Sequence, residues 1–108
     1  MKPLISVIMS VYNDSKNIGN SIESILNQDF KDFEFLIMDD GSTDESYEII
    51  DIYSKDTRVK VFKNNENLGL TKSLNILLEA SQGTFIARQD SDDSVSYTHL
   101  TLPTRIFV

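Results

Sequence analysis

Three carboxylates fall within four residues at Asp90-Ser91-Asp92-Asp93. Ionised carboxylates packed so closely repel one another, and a folded chain keeps them by supplying a compensating cation. A hard divalent ion with oxygen ligands suits such a cluster, and Mg²⁺ commonly brings phosphate oxygens with it. A lone D-x-D is also the composition of a solvated acidic turn, so the decision rests on what surrounds it. Two other polar stretches could share its chemistry: Ser10-Val11-Tyr12-Asn13-Asp14 and Asp39-Asp40-Gly41-Ser42-Thr43-Asp44.

Other chemistries are excluded by composition. The chain of 108 residues has no cysteine, which removes disulfides, zinc–thiolate sites and thiol nucleophiles. Its net charge of −7, from 17 acidic and 10 basic side chains, argues against nucleic-acid binding, and no basic stripe appears. His99 is the only histidine and has no partner for nucleophilic catalysis. Neither G-x-G-x-x-G nor Walker A spacing occurs, so the phosphate cradles of dinucleotide and P-loop proteins are missing. The apolar run at the N-terminus is too short to span a membrane and lacks a small-residue cleavage site, which gives a cytosolic expectation.

The elements that must position these residues alternate. Leu4 to Val11 is almost continuously apolar, the pattern of a strand covered on both faces. Ile18, Ile22, Ile25 and Leu26 then form one stripe of a helix running from Lys16 to about Gln28. Phe33 to Met38 reads as a second strand leading into the Asp39–Asp44 turn, where Ser42 or Thr43 can cap the next helix, marked by Tyr47, Ile50 and Tyr53. Val59 to Phe62 is a short third strand. Leu70, Leu74, Leu77 and Leu78 stripe a third helix with Gly83 as its C′ residue, and Thr84 to Ala87 is a fourth strand. Strands alternating with helices through short loops require right-handed crossovers and a mainly parallel α/β sheet. Ligands of such sheets bind at the carboxyl ends of the strands, which brings Ser10, Tyr12, Asp39, Asp40 and the Asp90–Asp93 cluster toward one crevice.

With these residues in hand, the chain resembles the N-terminal half of a family 2 glycosyltransferase of the GT-A fold, whose members use nucleotide-sugar donors and invert the anomeric centre. The resemblance is carried by Ile5-Ser6-Val7-Ile8-Met9-Ser10-Val11-Tyr12-Asn13, by Met38-Asp39-Asp40-Gly41-Ser42-Thr43-Asp44, and by Asp90-Ser91-Asp92. Asn67-Leu68-Gly69-Leu70 with Leu74-Asn75 adds to it, and the whole spans residues 3 to 93. It implies that Ser10 and Tyr12 lie beside the nucleobase and that Asp40, with Asp39, accepts hydrogen bonds from base or ribose. It further implies that Asp90 contacts ribose or donor sugar, and that Asp92 holds Mn²⁺ or Mg²⁺ against the diphosphate. Lys72 and Arg88 would assist electrostatically. The partners implied are a nucleotide-diphosphate sugar and, for the full-length parent, a glycan acceptor, with the inner membrane face open to that parent. The family's catalytic base lies well downstream of the D-x-D, so the 108-residue chain is expected to bind donor at most.

After Asp93 the composition changes. Residues 94–108 contain no acidic side chain and no helical periodicity. Val95 to Thr104 reads, residue for residue, as the translation of a transposase adaptor from DNA sequencing libraries. The expectation is a nucleotide-sugar-binding unit over 1–93 and a non-native, unstructured tail over 94–108. A receiver-like signalling module, which also gathers carboxylates and Mg²⁺ at strand ends, is the alternative from another class. It would want a phospho-accepting Asp after the third strand, where Lys63-Asn64 stands instead.

Overall fold

A computed structural model of the chain describes residues 2–91 and 99–101. Four parallel strands, β1 (Ile5–Val11), β2 (Phe33–Asp40), β3 (Val59–Asn64) and β4 (Phe85–Arg88), form the sheet with a short antiparallel β5 (His99–Thr101) at its edge. The helices are α1 (Ile18–Leu26), α2 (Ser46–Ile52), which tightens into a 3-10 turn at Tyr53–Lys55, and α3 (Leu70–Ala80). The strand order is β3-β2-β1-β4-β5. Three consecutive strands are therefore laid down in one direction, and the chain then crosses back to put β4 on the other side of β1. Because crossovers keep one hand, reversing direction moves the connecting helix to the opposite face.

The two cores record that reversal. Val7, Met9 and Val11 of β1 and Phe33, Phe35 and Ile37 of β2 meet Ile18, Ile22 and Ile25 of α1 and Ile50 of α2. The alternate residues Ile8, Leu36, Met38 and Ile86 meet Leu74, Leu77 and Leu78 of α3. Side chains alternate across a strand, so a sheet covered on both faces has no polar register to give away, and every residue of β2 is buried. Each fully buried Ile or Leu contributes roughly 1.5–3 kcal/mol of transfer free energy.

Several boundaries differ from the sequence reading for physical reasons. The second strand runs on through Asp39 and Asp40 because β3 continues alongside it, pairing Asp39 with Lys63 and Asp40 with Asn64. Neither Ser42 nor Thr43 caps α2; the Asp44 carboxylate accepts the Ser46 N–H at 2.9 Å and does that work. Gly83 is not the C′ residue of α3, which ends in extended backbone at Ser81. A β-carbon on Gly83 would stand 2.5 Å from the Ser6 nitrogen, so glycine is required by close approach to β1. Within the segment expected to carry no structure, His99–Thr101 pairs with β4. The remainder of that segment, with Asp92 and Asp93, lies outside the described residues.

A buried polar knot ties the amino end of the sheet. Glu34, 4% exposed, accepts hydrogen bonds from Ser6 Oγ (2.5 Å), Lys60 Nζ (2.6 Å) and the Gln82 N–H (2.6 Å). Ser6 Oγ in turn accepts the Gly83 N–H at 2.7 Å, fixing the turn that leads into β4.

Candidate functional site

The reversal of strand order leaves a crevice above the carboxyl ends of β1 and β4, where an open α/β sheet receives ligands. It has a volume of about 560 Å³ and is lined by Ser10, Tyr12, Asn13, Asp14, Asn17, Leu70, Arg88, Asp90 and Ser91. Four of the residues singled out from sequence, Ser10, Tyr12, Arg88 and Asp90, are thus brought together. Tyr12 is 48% exposed just beyond β1, so its ring is free to offer a stacking face. Arg88 Nη2 stands 3.4 Å from Asp90 Oδ1, an exposed pair that holds little energy and can re-partner with an anion.

The two β2 carboxylates fall into different roles. Asp39 and Asp40 point to opposite faces, as neighbours on a strand must. Asp40 is buried and both of its oxygens are engaged within the chain: it accepts the Leu68 N–H at 2.8 Å, the Gly69 N–H at 3.0 Å and the Asn64 side-chain amide at 2.9 Å. It clamps the 64–69 loop and the start of α3, a structural duty that the sequence reading did not assign to it. Asp39 is wholly buried, its Oδ2 accepts the Ser42 N–H at 3.3 Å, and its Oδ1 has no hydrogen-bond partner. That oxygen lies at the carboxyl end of β2, and neither Asp39 nor Asp40 lines the crevice itself.

Lys72 is exposed in the first turn of α3 and does not line the crevice. Asp92 lies outside the described residues. Among the described residues no three acidic, histidine or cysteine side chains converge. The donors that do meet in the crevice are carboxylate, amide and hydroxyl oxygens, with no sulfur or imidazole, which suits Mg²⁺ or Mn²⁺. Asp90 supplies the crevice with one such exposed carboxylate.

Asn13 and Asp44 organise the crevice rim and were missed by sequence reasoning. Asn13 adopts φ 50°, a left-handed conformation that asparagine tolerates better than most side chains. Its N–H donates to Ser42 Oγ at 2.9 Å, while its Oδ1 accepts the Thr43 N–H at 2.7 Å and the Asp44 N–H at 3.3 Å. The loop after β1 is thereby laced to the loop after β2. Burial opposes ionisation of Asp44, but hydrogen bonds from Ser46 and Ser15 outweigh it and bring its pKa down to about 2. The available signal was an asparagine two residues after a strand, with a D-G-S-T-D turn after the next strand, both of them αL- and turn-forming chemistry.

The model of the family described as glycosyl transferase family 2 matches residues 6–102. An uncharacterized glycosyltransferase of Haemophilus influenzae is 47% identical over 95 residues, covering 87% of this chain and 38% of its own length. Among solved structures, S. aureus TarS 1–349 in complex with UDP superposes with a TM-score of 0.77 at 33% identity, over 89% of this chain and 30% of that one. The mannosyltransferase PcManGT of Pyrobaculum calidifontis, in complex with GDP-Man and Mn²⁺, superposes at 0.78 with 24% identity, over 85% of this chain and 28% of that one, a likeness of fold. The chain spans between 14% and 38% of the length of curated relatives it matches.

Proposed function

This chain belongs to glycosyl transferase family 2, and on that premise we propose that its crevice holds the nucleoside diphosphate of a nucleotide-sugar donor. The observation that carries the reading is the meeting of Ser10, Tyr12, Arg88 and Asp90 at the β1/β4 switch point. In this reading the Tyr12 ring stacks on the base, and the orphaned Asp39 Oδ1 takes an N–H or O–H from base or ribose. Arg88, already at a crevice lip, leaves its weak pairing with Asp90 to meet the diphosphate. Asp90, with Asp92, would hold a divalent cation, whose chemistry is neutralisation of the charge left on a departing diphosphate. Lys72 keeps only the general part of a nearby cation.

For the full-length protein the reaction is transfer of the sugar to an acceptor hydroxyl with inversion at the anomeric carbon. Attack from the face opposite the diphosphate needs a general base to take the hydroxyl proton. The residues assembled here bind and orient the donor; none of them is assigned that proton, so transfer is proposed for the parent and donor binding for this chain. UDP is the first ligand to test, since TarS, a third identical to this chain, is complexed with it. Titration calorimetry with UDP, GDP and dTDP, each with and without Mn²⁺, tests the reading. Metal-dependent binding of one diphosphate supports it. No binding of any of the three would overturn the donor-site reading, and acetyl phosphate labelling an aspartate would point instead to receiver-like chemistry.

A further inference from the structure

The backbone that presents Tyr12 is held from outside the crevice. The three amides that follow the tyrosine each donate to a side-chain oxygen of the 42–46 segment. The Asn13 N–H meets Ser42 Oγ at 2.9 Å, the Asp14 N–H meets Ser46 Oγ at 2.9 Å, and the Ser15 N–H meets Asp44 Oδ2 at 3.2 Å. On its other side Tyr12 follows Val11, the last residue of β1, which pairs with Asp39 of β2. The tyrosine backbone is thus fixed before and after the ring, while the residue itself stays half exposed.

Ser46 is the first residue of α2 and is wholly buried. Asp44 divides its carboxylate between two elements: Oδ1 accepts the Ser46 N–H at 2.9 Å and Oδ2 accepts the Ser15 N–H. Neither residue lines the crevice. The Asn17 and Ile18 N–H groups at the start of α1 both go to the Asp14 carbonyl. With these amides used within the chain, the loop after β1 has side chains, and not a row of free N–H groups, to offer a ligand.

We infer that Ser46 and Asp44 are positioning residues for the Tyr12 ring, the first turn of α2 setting the loop after β1 so that the ring stands ready to stack on a base. The inference rests on the donor-binding reading above and deepens it with two residues beyond the crevice wall. Neither touches the donor; both act through the backbone of Asp14 and Ser15. A ring carried on a free loop loses part of its binding energy to ordering, and the tethers remove that loss in advance.

The test is a double-mutant cycle on the intact 108-residue chain. Calorimetry with UDP, GDP and dTDP in the presence of Mn²⁺ reads the affinities, and the variants are compared on the diphosphate that binds. Tyr12→Ala removes the ring and is expected to weaken binding roughly tenfold. Ser46→Ala keeps the Ser46 N–H on Asp44, while Asp44→Ser leaves a hydroxyl that caps the Ser46 N–H but is too short for Ser15. Each is expected to weaken binding about threefold to fivefold, the effect of one lost hydrogen bond. In the Tyr12→Ala background neither adds a further loss, because each acts only through the ring. Losses that add in the double variants overturn the inference, since they mark a general effect on the fold. So does unchanged affinity in either single variant. Amide hydrogen exchange of the unaltered chain needs no variant to fold: the Asn13, Asp14 and Ser15 amides are expected to exchange at least about tenfold more slowly than in an unfolded chain. Exchange at the unfolded rate removes the tethers and the inference with them. Absence of binding in the unaltered chain overturns the donor reading and this inference together, whereas binding without the coupling overturns this inference alone.

Discussion

Asp40→Ala separates a structural carboxylate from a ligand-binding one. Asp40 accepts three N–H groups, from Leu68, Gly69 and the Asn64 amide, at 2.8, 3.0 and 2.9 Å, and is 2% exposed. Removing the carboxylate strands three donors, each worth about 1–3 kcal/mol when left unpaired in a buried setting. The loop is half open, so water recovers part of that, and a net loss of about 3 kcal/mol is expected. For a domain of this size that corresponds to a fall in Tm of roughly 15 °C. Asp40→Asn keeps one acceptor oxygen and should lose about half as much. Urea denaturation followed by circular dichroism measures both, with an unchanged slope if only stability has moved. A loss under about 1 kcal/mol in Asp40→Ala, accompanied by weakened diphosphate binding, would refute the clamp and return Asp40 to the donor site.

Three further outcomes follow from the same geometry. Burial opposes ionisation of Glu34, but hydrogen bonds from Lys60, Ser6 and Gln82 outweigh it and lower its pKa from 4.5. A carboxyl group depressed in the folded state contributes stability above its unfolded pKa and loses it as pH falls through the folded one. Asp56, held down to about 2 first of all by its hydrogen bonds from Arg58, adds to the same slope. Stability should therefore fall from about pH 4.5 toward pH 2, and Glu34→Gln should flatten the upper part of that fall in a series of urea titrations. Gly83→Ala places a β-carbon 2.5 Å from the Ser6 nitrogen of the central strand, and Gly41→Ala places one 2.4 Å from the Glu66 carbonyl carbon at φ +74°. Each should cost about 2 kcal/mol or more by thermal denaturation. Gly69→Ala, at φ +99° with nothing within 4 Å, should cost only about 1 kcal/mol of backbone strain.

Much of the fold was legible because its information is local. The unbroken apolar run of β1 and the Ile18, Ile22, Ile25 stripe of α1 state their own burial, and the buried residues are the ones those patterns pick out. The crevice followed from alternation of elements and the strand-end rule, which pointed Ser10, Tyr12 and Asp90 to it, and also Asp39 and Asp40, which do not line it. What stayed hidden depends on partners far apart in the chain. Asp39 and Asp40 are adjacent and chemically identical in the sequence. Only the position of the 64–69 loop makes one a clamp with both oxygens engaged and leaves the other with an unpaired oxygen. The bond of Asp14 to Ser91 is invisible in the sequence because the two lie at a separation of 77 residues. Gly83 read as a helix terminator because no sequence pattern reports how near β1 passes. The resemblance placed Lys72 near the phosphates, and the first turn of α3 leaves it exposed outside the crevice lining.

The most direct test of the donor-site account is paramagnetic broadening of backbone amide resonances by Mn²⁺ in the presence of UDP. The ion is predicted to broaden the amides of Asp90 and Ser91 first, with those of Ser10, Tyr12 and Asn13 following at the same strand-end edge. The amides of Ser6, Glu34 and Gln82, around the buried knot at the opposite edge, should stay sharp. Broadening centred on that opposite edge, or spread evenly over surface carboxylates with no dependence on UDP, would contradict the account.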